Sequence, residues 1–276
     1  MPDTVDAGRS RGTPMLTNDQ VATAAAALFQ AEADNEPITP ISEQYPDADV
    51  EDAYRISTAV TELKLKAGRL VKGHKIGLTS KAMRSLTGAS EPDYGTMFDD
   101  WFLLEGSVVP RSTMNRPLVE VEIAFVLREA LAGPGVNAAD VIRATDFVLP
   151  CIEIVDTRQK GRGPTPLVDS IADAAACGRV ILGGRPARLT DLDIRRVGAT
   201  LSINGSVEES GVAGAVMGNP INAVAWLANK LHEYGVTAEA GHVILSGSFI
   251  KAIPFQVGDT VVALFDPLGE VTFSAG

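Results

Sequence analysis

From residue 70 onward the chain breaks into short apolar or alternating runs, and that cadence restricts the folds open to it. The runs fall at 70–76, 118–127, 147–155, 180–182, 198–203, 242–249, 260–265 and 270–273, with Gly, Pro, Asn and Asp between them. Segments of this length and texture are strands. None approaches the roughly 18–20 apolar residues of a membrane-spanning helix. Asn204-Gly205 lies between two such runs and predicts a hairpin. Two helices interrupt the pattern. One starts at Asn137, where Asp140 completes a capping box. The other starts at Asn219-Pro220, carries Ile221, Val224, Ala225, Ala228 and Leu231, and stops at Gly235.

Before residue 70 the pattern is helical. Thr17 and Gln20 form a capping box ahead of a face made by Val21, Ala25, Leu28 and Phe29. Pro37, Pro40 and Pro46 make residues 35–48 a loop. Asp49 then caps a helix with a stripe of Ala53, Ile56, Val60, Leu63 and Ala67, and Gly68 is its stop. Residues 1–15 are polar, lack the apolar segment of a secretory signal, and are expected to be a disordered tail. The expected class is therefore α+β. A small helical N-terminal lobe, 16–69, sits on a mixed, mostly antiparallel β core, 70–276.

Lys plus Arg total 24 against 35 Asp plus Glu, a net charge of −11. That balance speaks against nucleic acid, whose phosphates need clustered basic residues. It leaves room for a small anionic substrate at a locally positive or metal-loaded site. Cys151 and Cys177 provide neither a disulfide framework nor zinc spacing. They are expected to be reduced core residues in a cytoplasmic protein. His74, His232 and His242 have separations that suggest no histidine-based metal site.

The segment 118–127, LVEVEIAFVL, carries the chemistry. In a strand, side chains alternate between faces. Val119, Val121, Ile123 and Phe125 point one way; Glu120, Glu122 and Ala124 point the other. The two glutamates then lie roughly 6–7 Å apart at Cα. A second strand, 148–156, places Glu153 in an otherwise apolar run. Either strand alone reads as a solvated face. Together they place three glutamates in apolar runs with no Lys or Arg, and glutamate is rarely buried without a partner. Their repulsion, on the order of several kcal/mol, is removed by a divalent cation. All-oxygen donors favour Mg²⁺ or Mn²⁺ over zinc.

A further segment, Lys72-Gly-His-Lys-Ile-Gly-Leu-Thr-Ser80, has glycines at 73 and 77 that let the backbone approach a ligand. Lys75 is read there as a buried general base or as the holder of a substrate carboxylate. His74 by itself reads as a structural hydrogen-bonder. Glu91-Pro-Asp-Tyr-Gly95 reads as a turn.

Taken together, GHKIGLTSKAM (73–83), SEPDYG (90–95), VEVEIAFVL (119–127), GPGVNAADVIRATDFVLPCIEIVDTR (133–158), AVAWLANKL (223–231) and GHVILSGSF (241–249) resemble one family. It is the hydratase/decarboxylase branch of the fumarylacetoacetate hydrolase superfamily, enzymes of meta-cleavage aromatic catabolism. The resemblance implies a β-rich catalytic core and Mg²⁺ or Mn²⁺ on Glu120, Glu122 and Glu153. It implies Lys75, Asp93 and His74 as acid/base groups, with Ser248, Leu78 and Thr79 as substrate contacts. The implied reaction is hydration of a 2-hydroxy-2,4-dienoate or 2-oxo-alkenoate, either 2-oxo-hept-4-ene-1,7-dioate or 2-hydroxypenta-2,4-dienoate. The alternatives are 4-oxalocrotonate-type decarboxylation and acylpyruvate-type C–C hydrolysis. Dimer-based homo-oligomers, extending to decamers, and a pathway partner enzyme are implied as well.

Two departures bear on the substrate. Pro117-Leu118 stands where the family carries Arg or Lys, and Asp173-Ala174-Ala175 where it tends to read Asp-Asn-Ala. A distal substrate carboxylate would call for a cation, and Arg84, Arg158 and Arg162 are the candidates.

Overall fold

The computed structural model describes residues 16–276 except 162 and 164, and leaves the side chains of residues 82 and 86 undescribed. The tail assigned to 1–15, and Arg162, lie outside the described residues. Three helices come first: α1 (Asn18–Asp34), α2 (Ile41–Gln44) and α3 (Val50–Lys66). Thr17 and Gln20 close the capping box of α1 reciprocally, and Asp49 accepts from the Asp52 N–H at the start of α3. Val21, Ala25, Leu28, Ala53 and Ile56 of the faces selected by helical spacing are buried and Phe29, Val60 and Leu63 partly so, whereas Ala67 lies beyond the last turn of α3 and is exposed.

The first sheet contains β1 (Val71–Gly77), β2 (Asp93–Phe98), β3 (Phe102–Leu103), β5 (Leu118–Leu127), β6 (Thr145–Val155), β7 (Cys177–Leu182), β10 (Val243–Leu245) and β11 (Ile253–Pro254). Its order is β2-β1-β10-β5-β6-β7-β3, with β11 pairing the start of β5. The second contains β4 (Val108–Val109), β8 (Gly198–Ile203), β9 (Ser206–Val212), β12 (Thr260–Asp266) and β13 (Gly269–Ala275), in the order β4-β13-β12-β8-β9. Three pairings are parallel (β1–β10, β3–β7, β4–β13) and the rest antiparallel. The hairpin at Asn204-Gly205 joins β8 to β9, both residues having positive φ. Helices α4 (Lys81–Thr87), α5 (Ala138–Ala144), α6 (Leu167–Ala172) and α7 (Pro220–Glu233) complete the α+β fold. Asn137 with Asp140, and Asn219 with Pro220, start α5 and α7 as their cap residues require.

One hydrophobic cluster runs through α1, α3, α7 and both sheets. A second occupies the other face of the first sheet and includes Met97, Trp101, Ala124, Cys151, Cys177 and Leu245. Both cysteines are buried and unpaired. No helix among the described residues is long and apolar enough to cross a membrane.

Two local readings are corrected. Asp93–Phe98 is a strand rather than a turn, because its backbone pairs in antiparallel register with β1, an arrangement that turn-forming residue types do not advertise. The span 35–48 is not loop throughout. Pro40 leads into the single turn of α2, whose Ile41 N–H donates to Gln159 Oε1 at 2.8 Å.

Candidate active site

Antiparallel pairing of β5 with β6 sets Glu120 directly opposite Glu153, and Glu122 opposite Cys151. Strand alternation sends Val119, Val121, Ile123 and Phe125 into the main core at 0% exposure. The glutamates go to the other face. There Glu120, Glu122 and Glu153 each present a carboxylate oxygen within 4.8 Å of the others. Glu122 and Glu153 are buried at 1% and 0% exposure; Glu120 is partly exposed.

The counter-charge comes from β1, across the three-residue strand β10. Lys75 Nζ lies 3.1 Å from Glu153 Oε1 and donates to the Ala175 carbonyl at 2.9 Å. The contact with Glu153 lacks hydrogen-bond geometry, so neither Glu153 oxygen receives a hydrogen bond. Glu122 Oε2 accepts from the Gly247 N–H at 2.7 Å, and its Oε1 has no partner. Register and alternation bring Asp93 of β2 to the same face as Lys75. Ser170 Oγ donates to Asp93 Oδ2 at 2.8 Å, and Oδ1 is unpartnered.

Electrostatics follow from this crowding. Burial raises the Glu122 carboxyl well above its ordinary range, and Glu153 beside it adds to the rise while Lys75 opposes it. Burial likewise pushes Glu120 up to about 7, against the pull of Lys75. Asp93 is raised by burial, with Lys75 and the Ser170 hydrogen bond opposing. Burial works against the Lys75 ammonium, but Glu153, Glu120 and Glu122 outweigh it and hold the amine above its usual range. Four carboxyls thus face one ammonium, and three of their buried oxygens at Glu122 and Glu153 lack donors. Uncompensated buried charge costs several kcal/mol per ion. This donor set, all oxygen and short of positive charge, fits a hard dication.

The glycines of β1 serve the sheet. A Cβ at Gly73 would sit 1.8 Å from the Val243 carbonyl oxygen, and one at Gly77 would sit 2.2 Å from Asp93 Oδ1. Their missing side chains make room for β10 and for the Asp93 carboxylate, which corrects the reading that they admit a ligand. Leu78, at φ 55°, and buried Thr79 follow. Arg84 Nη1 donates to both their carbonyls at 2.9 and 2.8 Å. A Cβ at Gly247, whose φ is +104°, would sit 2.3 Å from Thr79 Oγ1. The 78–79 turn therefore backs the loop whose N–H holds Glu122. Ser248 Oγ is engaged locally, donating to the Ile250 carbonyl at 3.1 Å and accepting from its N–H at 3.3 Å.

His74 is separated from this group. As the neighbour of Lys75 in a strand it projects from the opposite face. Its ring lies 5.7 Å from that of His242 and 6.4 Å from that of Tyr94. Burial, with His242 alongside, pushes its pKa down to about 3. It is neutral in the folded protein at pH values where the unfolded chain would protonate it. Stability from this group is complete above the unfolded value of 6.5 and is lost as pH falls toward 3. At 1.36 kcal/mol per pH unit, the loss by pH 4.5 is about 3 kcal/mol. Raised carboxyls such as Glu120 act in the opposite sense over this range, so the readout is a difference: between pH 7 and 4.5 in urea titrations, the wild type should lose about 3 kcal/mol more stability, or gain about 3 kcal/mol less, than His74→Gln. An equal change in both would assign the acid sensitivity elsewhere.

Sequence reasoning did not find Ser170, the Gly247 N–H or the Ala175 carbonyl. Backbone groups carry no residue-type signal. Ser170 lies on α6, a short helix that only tertiary packing brings to Asp93. Ala174, Ala175 and Ala176 are consecutive non-glycine residues at φ 52°, 52° and 56°. Each costs on the order of 1 kcal/mol in the left-handed region. Arg158, one of the cations considered for a distal carboxylate, is committed to this turn. Its Nε donates to Asp173 Oδ1 at 2.6 Å.

No family model matches the chain. It is 45% identical over 253 residues to 2-oxo-hept-4-ene-1,7-dioate hydratase of Escherichia coli, covering 90% of this chain and 95% of that one. It is 36% identical over 256 residues to 2-keto-4-pentenoate hydratase of Paraburkholderia xenovorans LB400, covering 93% and 95%. The structure superposes with a TM-score of 0.92 on 4-oxalocrotonate decarboxylase from Pseudomonas putida G7, solved in complex with magnesium and adipate. That pair shares 34% identity, over 96% of this chain and 100% of the other. A fumarylacetoacetate hydrolase family protein from Yersinia pestis CO92 shares the fold alone, at 16% identity and a TM-score of 0.57 over 75% of this chain and 94% of the other.

Proposed function

The chain belongs to the hydratase/decarboxylase branch of the fumarylacetoacetate hydrolase superfamily, and from that premise we propose that it is a metal-dependent hydratase of 2-hydroxy-2,4-dienoates and their 2-oxo-alkenoate tautomers. Its substrates are 2-oxo-hept-4-ene-1,7-dioate or 2-hydroxypenta-2,4-dienoate, in the breakdown of aromatic compounds. The observation that carries the reading is the convergence of Glu120, Glu122 and Glu153 within 4.8 Å, with Lys75 as their one close cation among the described residues.

Those three glutamates would hold Mg²⁺ or Mn²⁺, which supplies Lewis-acid stabilisation of the negative charge developing on the substrate C2 oxygen. The remaining work is done by side chains. Lys75, fixed between Glu153 and the Ala175 carbonyl, keeps a positive charge at the reacting end and binds the C1 carboxylate or moves a proton. Asp93, held by Ser170 and raised by burial, is suited to exchange a proton with carbon. For the dienol, a proton leaves the 2-hydroxyl and one is delivered to C5, giving the α,β-unsaturated 2-oxo acid. Water oxygen then bonds to C4 and a proton adds at C3. Leu78 and Thr79 shape the wall beside Gly247, and we assign Ser248 to the substrate side of the same loop. Between hydration and loss of CO₂ on this site, the 45% identical relative, a hydratase, favours hydration.

We place the enzyme in the cytoplasm, in keeping with two unpaired buried thiols. We also propose that it works as a dimer-based homo-oligomer alongside a pathway partner. The test is an assay of 2-hydroxypenta-2,4-dienoate, its carboxymethyl-extended homologue and 4-oxalocrotonate with Mg²⁺, following diene absorbance and CO₂ release in parallel. Diene loss with no CO₂ is expected. CO₂ release from 4-oxalocrotonate with neither dienoate consumed would make the protein a decarboxylase.

A further inference from the structure

The left-handed turn at Ala174–Ala176 is held from both ends by one side chain. Arg158 Nε donates to Asp173 Oδ1 at 2.6 Å and its Nη2 to the Asp173 carbonyl at 2.9 Å, on the residue before the turn. Its Nη1 donates to the Cys177 carbonyl at 2.6 Å, on the residue after it, and to the Asp156 carbonyl at 3.0 Å. Asp173 is in turn fixed by the Thr157 hydroxyl at 2.9 Å and the Arg158 N–H at 2.7 Å, both reaching Oδ2. The guanidinium carbon lies 5.3 Å from the Trp101 ring centroid, and the arginine side chain is only 10% exposed. The planar fork, with five N–H donors, serves three backbone carbonyls and a carboxylate at once; an ammonium, with three donors, cannot.

From the other side the turn rests on β2. A Cβ at Gly95 would sit 1.9 Å from the Ala174 carbonyl oxygen, so only glycine lets the turn approach the strand this closely. Between these supports the Ala175 carbonyl accepts a hydrogen bond from Lys75 Nζ. Alanine has no intrinsic preference for the left-handed region, so the conformation is imposed by its surroundings.

We propose that Arg158 is a positioning residue: by clamping Asp173 and Cys177 it forces Ala174–Ala176 into the left-handed turn that aims the Ala175 carbonyl at Lys75 and fixes the ammonium over Glu153. Its kinetic consequence rests on the hydratase reading; its structural consequence does not. Arg158 is therefore withdrawn from the candidates for a distal substrate carboxylate.

The experiment uses the full chain as Arg158→Lys, Asp173→Asn and the double variant Arg158→Lys/Ala176→Gly. Circular dichroism selects the folded ones. Two readouts are taken: steady-state kinetics on the dienoate, and the Nζ resonance of Lys75 in ¹⁵N-labelled protein, assigned by its loss in Lys75→Met. In Arg158→Lys, kcat should fall roughly 10–100-fold with KM changed by less than about threefold, as for a displaced reacting group. The Lys75 resonance should broaden or vanish as its acceptor moves. Asp173→Asn should shift both in the same direction by less. Ala176→Gly removes the steric objection to positive φ, so the double variant should recover at least about fivefold of the lost kcat and regain the resonance. A folded Arg158→Lys or Asp173→Asn with an unchanged Lys75 resonance overturns the proposal, as does a double variant no better than Arg158→Lys. Should the wild type not hydrate the dienoate, the function assignment fails by itself, and the resonance still decides the clamp.

Discussion

Glu122→Gln is expected to abolish metal-dependent turnover, by at least about 10³-fold, while the protein stays folded. Glu122 is buried, its carboxyl is raised by burial and by Glu153, and one of its oxygens has no donor. Gln is nearly isosteric, keeps an oxygen for the Gly247 N–H and removes a charge that metal-free protein holds at a cost. The metal-free variant should therefore melt at or above the wild-type temperature, while the rise in melting temperature on adding Mg²⁺ should largely disappear. In the wild type, Mg²⁺ at 100 times its dissociation constant should add about 2.7 kcal/mol. Differential scanning calorimetry with and without Mg²⁺, beside the diene assay, measures both effects. A variant that melts lower without metal and is stabilised by Mg²⁺ as fully as the wild type would mean that Glu122 is a structural carboxylate.

Lys75→Met should combine a chemical with a structural loss. Removing the ammonium that holds charge at the reacting end should reduce kcat roughly 10²–10⁴-fold. It also leaves Glu153, 0% exposed, without its 3.1 Å partner. Breaking a buried pair in this way costs about 3–5 kcal/mol. The two losses respond differently to Mg²⁺. A dication among the carboxylates replaces the missing positive charge, so Mg²⁺ should restore much of the stability and none of the turnover. Urea unfolding and initial rates, each with and without Mg²⁺, separate them. Activity within tenfold of wild type would remove Lys75 from the chemistry.

Much of the fold was legible because its signals are local. Thr17, Asp49, Asn137 and Asn219 each cap a helix with their own side chains, and Asn204-Gly205 turns a hairpin. What was not legible depends on partners distant in sequence. Asp93–Phe98 is rich in turn-forming residues at its start, and it is a strand because β1 pairs with it. Ala174–Ala176 is left-handed because Arg158 and Gly95 impose it; three alanines announce nothing of the kind.

The candidate site divides along the same line. Alternation in β5 brings Glu120 and Glu122 to one face, and the buried charge of Glu153 directs attention across the strand pair. The same alternation in β1 turns His74 away from Lys75, a separation already present in the spacing of the two residues. Nothing in the segment around Lys75 says which carboxylates it meets; the sheet order places it two strands from β5. The donors to Glu122 and Asp93 are a backbone N–H and a serine on a short helix, and only the assembled chain gathers them.

The most direct measurement is an anomalous difference map from crystals of the full chain soaked in Mn²⁺. One peak is predicted, within about 2.3 Å of a carboxylate oxygen from each of Glu120, Glu122 and Glu153. An empty trio, with the Lys75–Glu153 contact unchanged and active enzyme in the same soak, would contradict the assignment of the cation to these three side chains.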